Sequence, residues 1–245
     1  MLHLGKYCGY ISHGAIRILW YPKKLNYYIK NKENTTLEER YNHARLRVDD
    51  VLNNILRVNL QVEGLEKLND GETYLFTPNH QGFIDPLCLI QLIKNPLIMV
   101  SKKESYKMPI VGKITRIIDA IFLDRESPRD ALRMVKECKE HLTNGRSVVI
   151  FPEGTRSKNK EVSIATYKPG AFKSAYGTNA KIVPVVIEGT YIPLSIKRKN
   201  KKNNLVKISF LDPISKEEYE KLNTTELASL VETRAKEKLE LLRNE

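Results

Sequence analysis

The sequence has few cysteines, and their positions suit neither covalent nor metal cross-links. The three residues Cys8, Cys88 and Cys138 are odd in number, lie far apart and form no CxxC pair. This pattern argues against a disulfide framework and against a cysteine-based zinc site. We therefore expect a protein of a reducing, cytosolic compartment.

Long uncharged runs are missing from the N-terminal region. Within residues 1–32 the longest stretch without a formal charge runs from Tyr7 to Ile16, well short of the roughly 20 apolar residues that span a bilayer. Arg17 would interrupt the apolar core of a secretory signal, and no small-residue cleavage site follows it. The segment is therefore expected neither to cross a membrane nor to serve as a signal peptide.

Acidic residues are also absent from residues 1–32, although basic and aromatic residues are frequent there. The basic residues are Lys6, Arg17, Lys23, Lys24, Lys30 and Lys32, and the aromatic residues among them are Tyr7, Tyr10, Trp20, Tyr21, Tyr27 and Tyr28. Basic groups beside Trp and Tyr suit the headgroup region of an acidic membrane. The alternative is a helical arm that packs on the domain, and the two roles are compatible.

The net charge of +12 implies an anionic partner. Nucleic acid, an acidic membrane, a phosphorylated substrate and an acidic carrier protein all satisfy that requirement. Nucleic acid is disfavoured, because no recognised binding module is present and the basic run 197–202 contains no aromatic residue. That run is interpreted as part of a solvated loop, with phosphate binding as the alternative.

Short apolar runs and amphipathic segments alternate along most of the 245 residues. Seven strands are predicted, at Leu60–Val62, Tyr74–Phe76, Leu97–Val100, Ala120–Leu123, Val148–Phe151, Ile182–Ile187 and Val206–Leu211. Helical spacing predicts helices at Leu37–Leu56, Pro128–Leu142 and Thr225–Leu242. This order predicts an α/β domain whose sheet is covered by helices.

The segment Asn79–Pro86 joins a predicted strand to an apolar helix, and it contains His80 and Asp85. An imidazole beside a carboxylate is the usual composition of a general base that works near neutral pH. Two structural alternatives stay open at this point. His80 can be a satisfied core histidine, and Asp85 followed by proline also fits a helix N-cap.

Three later clusters follow predicted strands or begin helices. Arg125 comes after Ile121–Leu123 and can grip a phosphate, or else pair with a neighbouring acid. The turn Phe151–Ser157 presents Glu153, Arg156 and two hydroxyl residues, which suits a polar phosphorylated ligand. Lys168 before Pro169 can favour an anion, although a plain helix cap is the simpler interpretation.

Together these residues resemble the glycerolipid acyltransferase family, which includes the 1-acyl-glycerol-3-phosphate (lysophosphatidate) acyltransferases. The resemblance covers about Leu60 to Gly189. The four matching motifs, in order, are Asn79–Asp85 with its His-x4-Asp pattern, Ile121–Arg125, Phe151–Ser157 and Ile182–Val186. The family's usual glycine before the second motif is replaced by Asp119 or Ala120, and its small hydroxyl residue in the first motif is Gly82. We expect Asp119 to place an acid near the phosphate grip.

The resemblance implies one acyltransferase domain, residues 58–245, with a mixed sheet of about seven strands. From the basic and aromatic residues near the N-terminus we expect a helical, membrane-associating arm, residues 1–57, before this domain. It implies transfer of a fatty acyl group from acyl-CoA or acyl carrier protein to the sn-2 hydroxyl of lysophosphatidic acid. Glycerol 3-phosphate or another lysophospholipid is the alternative acceptor. The expected location is peripheral, at the cytoplasmic face of the cell membrane.

The resemblance also implies a role for each motif residue. His80 would act as the general base and Asp85 would orient it, with no metal and no cofactor. Cys88 would be a buried helix residue rather than an acyl carrier. The implied substrate-binding residues are Arg125, Glu153, Gly154, Thr155, Arg156 and Pro184.

Overall fold

The computed structural model describes residues 23–157, 163–193 and 204–244. The expectations for Trp20 and the aromatic residues before it, for Cys8 and for the basic run 197–202 therefore lie outside the described residues. The strands are β1 (Asn59–Glu63), β2 (Tyr74–Pro78), β3 (Leu97–Lys102), β4 (Ile121–Leu123), β5 (Ser147–Val149), β6 (Lys181–Glu188) and β7 (Leu205–Phe210).

Helices separate most of these strands. They are α1 (Leu37–Asp49), α2 (Asp85–Leu92), α3 (Val111–Ile117), α4 (Pro128–Thr143), α5 (Lys216–Tyr219) and α6 (Thr224–Asn244). Short 3-10 helices lie at Lys32–Asn34, Leu65–Lys67, Lys103–Lys107 and Pro169–Ala171, and residues 23–30 are helical as well. No helix within the described ranges combines the length and apolar character needed to cross a membrane.

The strands form one mixed sheet in the order β1-β7-β6-β2-β5-β3-β4. All neighbouring pairs are parallel except β6 and β7, which are antiparallel. The seven predicted strands and the α/β fold are confirmed. Strand β2 lies between β5 and β6, so the loops that follow these three parallel strands meet at one edge of the sheet.

The sheet is covered by helices on both faces. Phe76 of β2 belongs to a buried cluster with side chains of α1, α2 and α3, whereas the adjacent Leu75 belongs to a second cluster with side chains of α4 and α6. Successive side chains of a strand point to opposite faces, so the two clusters lie on opposite sides of the sheet. The apolar runs of the sequence reflect strands that are buried on both faces.

Helix α1 packs on the same core as the sheet. Thr36 and Glu39 form a reciprocal capping box at its start, and Tyr41, Ala44 and Val48 have no exposed surface. The predicted helix at Leu37–Leu56 is confirmed, with one difference: the last turn, Asp50–Ile55, is a π-helix. The described part of the N-terminal segment therefore contributes to the core of the domain.

Candidate active site

His80 lies in the loop between β2, which ends at Pro78, and α2, which begins at Asp85. Its ring Nδ1 is 2.7 Å from Oδ2 of Asp85, a side chain with no exposed surface. Since an ionised carboxylate only accepts hydrogen bonds, Nδ1 carries the shared hydrogen and Nε2 is left as the basic nitrogen. An imidazole held in this way can take a proton from a bound hydroxyl.

The Asp85 carboxylate also holds the loop that precedes it. Oδ2 accepts the backbone N–H groups of Gln81, at 2.8 Å, and Gly82, at 3.0 Å. The alternative of Asp85 as a helix N-cap is wrong, because Asp85 is already the first residue of α2, and Ile84 precedes it without a side-chain cap. Oδ2 of Asp85 therefore bonds both the His80 imidazole and the backbone N–H groups of the loop that precedes α2.

Gly82 is required by a close approach within this loop. A Cβ at this position would lie 2.7 Å from the backbone carbonyl of Thr190, in the turn that follows β6. Real Cβ atoms do not come so near a backbone atom. The absence of the family's small hydroxyl residue therefore has a packing reason in this chain.

The turn after β5 holds the backbone of His80. Oε1 of Glu153 accepts the His80 N–H at 2.6 Å, and the N–H of Ser157 donates to the His80 carbonyl oxygen at 2.8 Å. The His80 ring also packs on the ring of Phe151, with 4.2 Å between the ring centroids. Burial raises the pKa of the Glu153 carboxyl to about 7, although the N–H groups of His80 and Ala165 oppose that rise.

The residues on either side of His80 are bonded to the end of β6. The Asn79 side chain donates to the carbonyl oxygen of Ile187 at 2.9 Å and accepts from its N–H at 2.7 Å. Gln81 donates to Glu188 and accepts from the N–H of Gly189. These amide side chains were missed in the sequence, although their positions flanking the histidine were the available signal.

A cavity of about 880 Å³ opens beside His80. Much of its wall is apolar and comes from α2, α3, α4 and nearby strands, including Leu87, Ile90, Met99, Ile114, Leu123 and Met134. Its basic lining residues are Lys102, Arg125, Arg156, Lys168 and Lys173, and the acidic residue among its lining residues is Glu104. The site therefore joins a proton acceptor to an apolar compartment and a cationic region.

Arg125 and Arg156 both line this cavity. Partial desolvation lowers the pKa of Arg125, and the positive charge of Arg156 lowers it further. Within the described residues the alternative ion pair of Arg125 with Asp124 or Glu126 is not formed, and Asp124 pairs with Lys103 instead. The positive charge of Arg156 near Arg125 favours an anion bound beside both guanidinium groups.

Gly154 and Thr155 also line the cavity, whereas Glu153 and Pro184 do not. Glu153 is 3% exposed, and both of its oxygens accept backbone N–H groups. Pro184 lies inside β6, in register with Thr77 of β2, so the sheet surrounds it. The expectation of direct ligand contact is therefore not met by the placement of these two residues.

The interpretation of Lys168 as part of a plain helix cap is incomplete. It precedes the 3-10 helix Pro169–Ala171, but its side chain lines the cavity. Gly154 has a φ of +71°, and a Cβ there would lie 3.0 Å from Nζ of Lys168. The glycine thus allows the ammonium group to approach the turn.

Asp119 points away from the proposed phosphate grip. Its carboxylate pairs with Arg40, at 2.7 Å, and with Lys32, at 2.6 Å. The backbone of Asp119 has a φ of +58°, in the left-handed region that glycine adopts more readily than other residues. The expectation that Asp119 would place an acid near the phosphate grip is wrong, because its carboxylate pairs with Lys32 and Arg40 of the N-terminal segment.

The thiol of Cys88, three residues after Asp85, does not line the cavity. Cys88 has no exposed surface, and burial raises the pKa of its thiol. A buried neutral thiol is a poor nucleophile, in agreement with the structural role expected for it. Among the residues that the structure describes, no group of three or more His, Cys, Asp or Glu side chains is arranged to hold a metal ion.

Comparison with known proteins finds a matching family model and related sequences. A family model described as Acyltransferase matches residues 59–188. A 1-acyl-sn-glycerol-3-phosphate acyltransferase of Escherichia coli K12 is 30% identical over 174 residues, which cover 69% of each chain. A chloroplast 1-acyl-sn-glycerol-3-phosphate acyltransferase of Arabidopsis thaliana is 36% identical over 132 residues, 54% of this chain and 36% of the relative.

The fold has a counterpart among solved structures. The crystal structure of the 1-acyl-sn-glycerophosphate (LPA) acyltransferase PlsC from Thermotoga maritima superposes with a TM-score of 0.66 and 22% sequence identity. The match covers 94% of this chain and 98% of that one. The match to the chloroplast relative, in contrast, spans only about a third of that protein's length.

Proposed function

The chain belongs to the acyltransferase family, and we propose that it transfers a fatty acyl group from an acyl thioester to the free sn-2 hydroxyl of lysophosphatidic acid, which gives phosphatidic acid. The observation that carries this proposal is the His80–Asp85 pair, 2.7 Å apart, beside a cavity with both apolar and cationic walls. Acylation of a phosphorylated lysolipid needs a base for its hydroxyl group, an apolar wall for an acyl chain and cations for its phosphate. The relatives whose names specify the same reaction support this choice.

His80 supplies the proton transfers of the reaction. Its Nε2 takes the proton of the acceptor hydroxyl while that oxygen attacks the thioester carbonyl carbon. A new C–O bond forms, the C–S bond breaks, and the imidazolium returns the proton to the departing thiolate. Asp85 holds the ring tautomer and stabilises the imidazolium. A base of this kind typically contributes about 10² to 10⁴ in rate.

The cationic region locates the acceptor. Arg125 and Arg156 bind the phosphate, because guanidinium groups form paired, charge-assisted hydrogen bonds with phosphate oxygens. Lys168, whose ammonium group lies close to Gly154, adds a third positive charge to the cavity wall. The gain is proximity and orientation of the glycerol hydroxyl beside His80.

The apolar compartment receives an acyl chain. Ile90, Ile114 and Met134 come from three different helices and line the cavity that His80 also lines. Removing a CH₂ group from water is worth about 0.8 kcal/mol, so a buried acyl chain contributes substantially to binding. Acyl-CoA and acyl carrier protein are both donors of suitable chemistry, since each presents the chain as a thioester.

Membrane association follows from the substrate class and from the charge distribution. Both acceptor and product are lipids, and the N-terminal arm is rich in Lys and Tyr and contains the single Trp of the chain. In the described part of the arm, Tyr27 is 57% exposed. The proposed location is therefore the cytoplasmic face of the cell membrane, with peripheral attachment.

The test is an acylation assay with purified protein. Wild type and His80→Ala are incubated with acyl-CoA or with acyl carrier thioester, and with lysophosphatidic acid, glycerol 3-phosphate and other lysophospholipids. Wild type is expected to acylate lysophosphatidic acid with the highest kcat/KM, and His80→Ala is expected to lose most of that activity. Equal activity of the two proteins contradicts the mechanism, and preference for another acceptor contradicts the substrate.

A further inference from the structure

Both backbone hydrogen-bonding groups of His80 are bonded to the turn that follows β5. Its N–H donates to Oε1 of Glu153 at 2.6 Å, and its carbonyl oxygen accepts from the N–H of Ser157 at 2.8 Å. Oε2 of Glu153 accepts the N–H of Ala165 at 3.0 Å. Glu153 thus links the histidine to residues that come after the same turn.

The position of Glu153 does not suit contact with a substrate. The side chain is 3% exposed and does not line the cavity, whereas the adjacent Gly154 and Thr155 do. A hydrogen bond to an acceptor in the cavity would require the carboxylate to turn away from its backbone partners. A buried N–H left unpaired in this way loses its hydrogen bond without gaining one to water, which destabilises the folded protein.

We propose that Glu153 is a positioning residue, which holds the backbone of His80 so that Nε2 meets the acceptor hydroxyl. This role rests on the proposed function and deepens it, because it assigns the glutamate of the third motif to the base instead of to the acceptor. Fixing the main chain complements Asp85, which fixes the ring at Nδ1. A displacement of about 1 Å at a reacting group can cost about 100-fold in rate.

A carboxylate fits this task better than an amide. Two N–H donors, from His80 and Ala165, face its two oxygens. A glutamine has nearly the same shape but only one acceptor oxygen, and its NH₂ group would face one of the donors. Glu153→Gln therefore removes one of the two backbone contacts with little change in volume.

Glu232 provides a matched control. It is also a largely buried glutamate, and its Oε2 accepts the N–H of Tyr167 at 2.8 Å, two residues after Ala165. It lies on α6 and has no contact with His80 among its hydrogen bonds and ion pairs in the described structure. Glu232→Gln thus perturbs the same segment by the same chemical change without touching the base.

The kinetic experiment compares the full-length wild type, Glu153→Gln and Glu232→Gln with acyl-CoA and lysophosphatidic acid. Glu153→Gln is expected to lower kcat by about 10- to 100-fold with the acceptor KM changed less than about twofold. Glu232→Gln is expected to keep both values within about twofold of wild type. A raised acceptor KM at unchanged kcat in Glu153→Gln, or an equal loss of kcat in both variants, overturns the positioning role.

Glu153→Asp is made in parallel, because it keeps two acceptor oxygens on a shorter side chain. Its kcat is expected to fall with little change in the acceptor KM, which keeps the test available if the amide variant does not fold. A change in KM alone would again overturn the role.

A second readout requires no activity. In protein labelled with ¹⁵N-histidine, the His80 imidazole signals are identified by their loss in His80→Ala.

These signals are expected to shift in Glu153→Gln and to stay in place in Glu232→Gln. Unshifted His80 signals in a folded Glu153→Gln protein contradict the positioning role, whatever the activity. The proposed function fails separately, if wild type does not acylate lysophosphatidic acid while the His80 signals still respond to Glu153.

Discussion

Arg40 of α1 and Asp119, the residue two positions before β4, form an ion pair with 2.7 Å between Nη2 and Oδ2. The Arg40 guanidinium is almost fully buried and also donates to the carbonyl oxygens of Lys32, Thr35 and Ile117. This contact joins the N-terminal segment to the turn that leads into the second motif. It also holds a non-glycine residue in the left-handed backbone region.

Two substitutions at Asp119 separate its charge from its backbone conformation. Asp119→Ala removes the ion pair and keeps the left-handed strain, so it is expected to destabilise by about 3 kcal/mol. Asp119→Gly removes the same charge but relieves the strain, so its loss is expected to be smaller by about 1 kcal/mol. Urea unfolding measures both values, and equal losses would contradict the strain argument.

Gly82 is expected to tolerate no side chain. Gly82→Ala places a Cβ 2.7 Å from the Thr190 backbone, so the loop must move and the Gly82 N–H must shift from Asp85. We expect a loss of about 1–3 kcal/mol in unfolding free energy and a lower kcat. Gly170→Ala is the stability control, because nothing lies within 4 Å of a Cβ there. Equal stability of the two variants would exclude the close approach as the reason for glycine.

Arg156 is expected to act through binding. Arg156→Ala should raise the KM for lysophosphatidic acid by about 10- to 100-fold, because one charge-assisted contact with phosphate is worth about 1.5–3 kcal/mol. The value of kcat at saturation should change little if the contact is uniform through the reaction. Arg129→Ala is the matched control, since Arg129 is exposed on α4 and does not line the cavity. An unchanged KM in Arg156→Ala would remove this residue from the phosphate site.

The buried Glu153 carboxyl predicts a pH dependence of stability. Its pKa rises from an ordinary value of 4.5 to about 7, so between these limits the folded protein binds more protons than the unfolded chain. The free energy of unfolding therefore decreases as pH rises through this window. The side chain in Glu153→Gln cannot titrate. The unfolding free energy of this variant should therefore fall less than that of wild type between about pH 5 and about pH 7.5, a range that includes most of this window. Identical pH profiles in urea unfolding would refute the shifted pKa.

The N-terminal residues are expected to bind anionic membranes. A variant without residues 1–22 keeps Leu25 in the core and keeps the pair of Lys32 with Asp119. It should sediment much less than the full chain with vesicles that contain anionic lipid, and neither protein should sediment strongly with neutral phosphatidylcholine vesicles. Equal binding of both proteins to anionic vesicles would contradict the membrane role of the arm.

Local patterns identified most of the elements that build the site. The predicted strand Tyr74–Phe76 and helix Pro128–Leu142 are found with small changes at their ends, as β2 and α4. Such elements depend on side-chain periodicity and capping residues, which are properties of neighbouring positions. The His80–Asp85 contact was equally accessible, because five positions across one strand-to-helix loop keep the two side chains within reach of each other.

Local sequence patterns did not predict the direction of several polar side chains. Asp85 was compatible with a helix cap, Lys168 with a plain cap, and Asp119 with a place near the phosphate grip. Each side chain had more than one partner within the reach of its own segment. The choice was made by residues far away in the sequence, such as Arg40 for Asp119, 79 positions apart.

Short-range spacing in the sequence is enough to predict the α/β order of elements, the histidine with its carboxylate, and the basic clusters at strand ends. Two long-range relationships depend instead on how the chain folds: Glu153 bonds the backbone of His80, 73 positions away, and Arg125 and Arg156 line one cavity. Both arise from the strand order, because β2 lies beside β5 and β6, and this adjacency brings distant loops to one edge of the sheet.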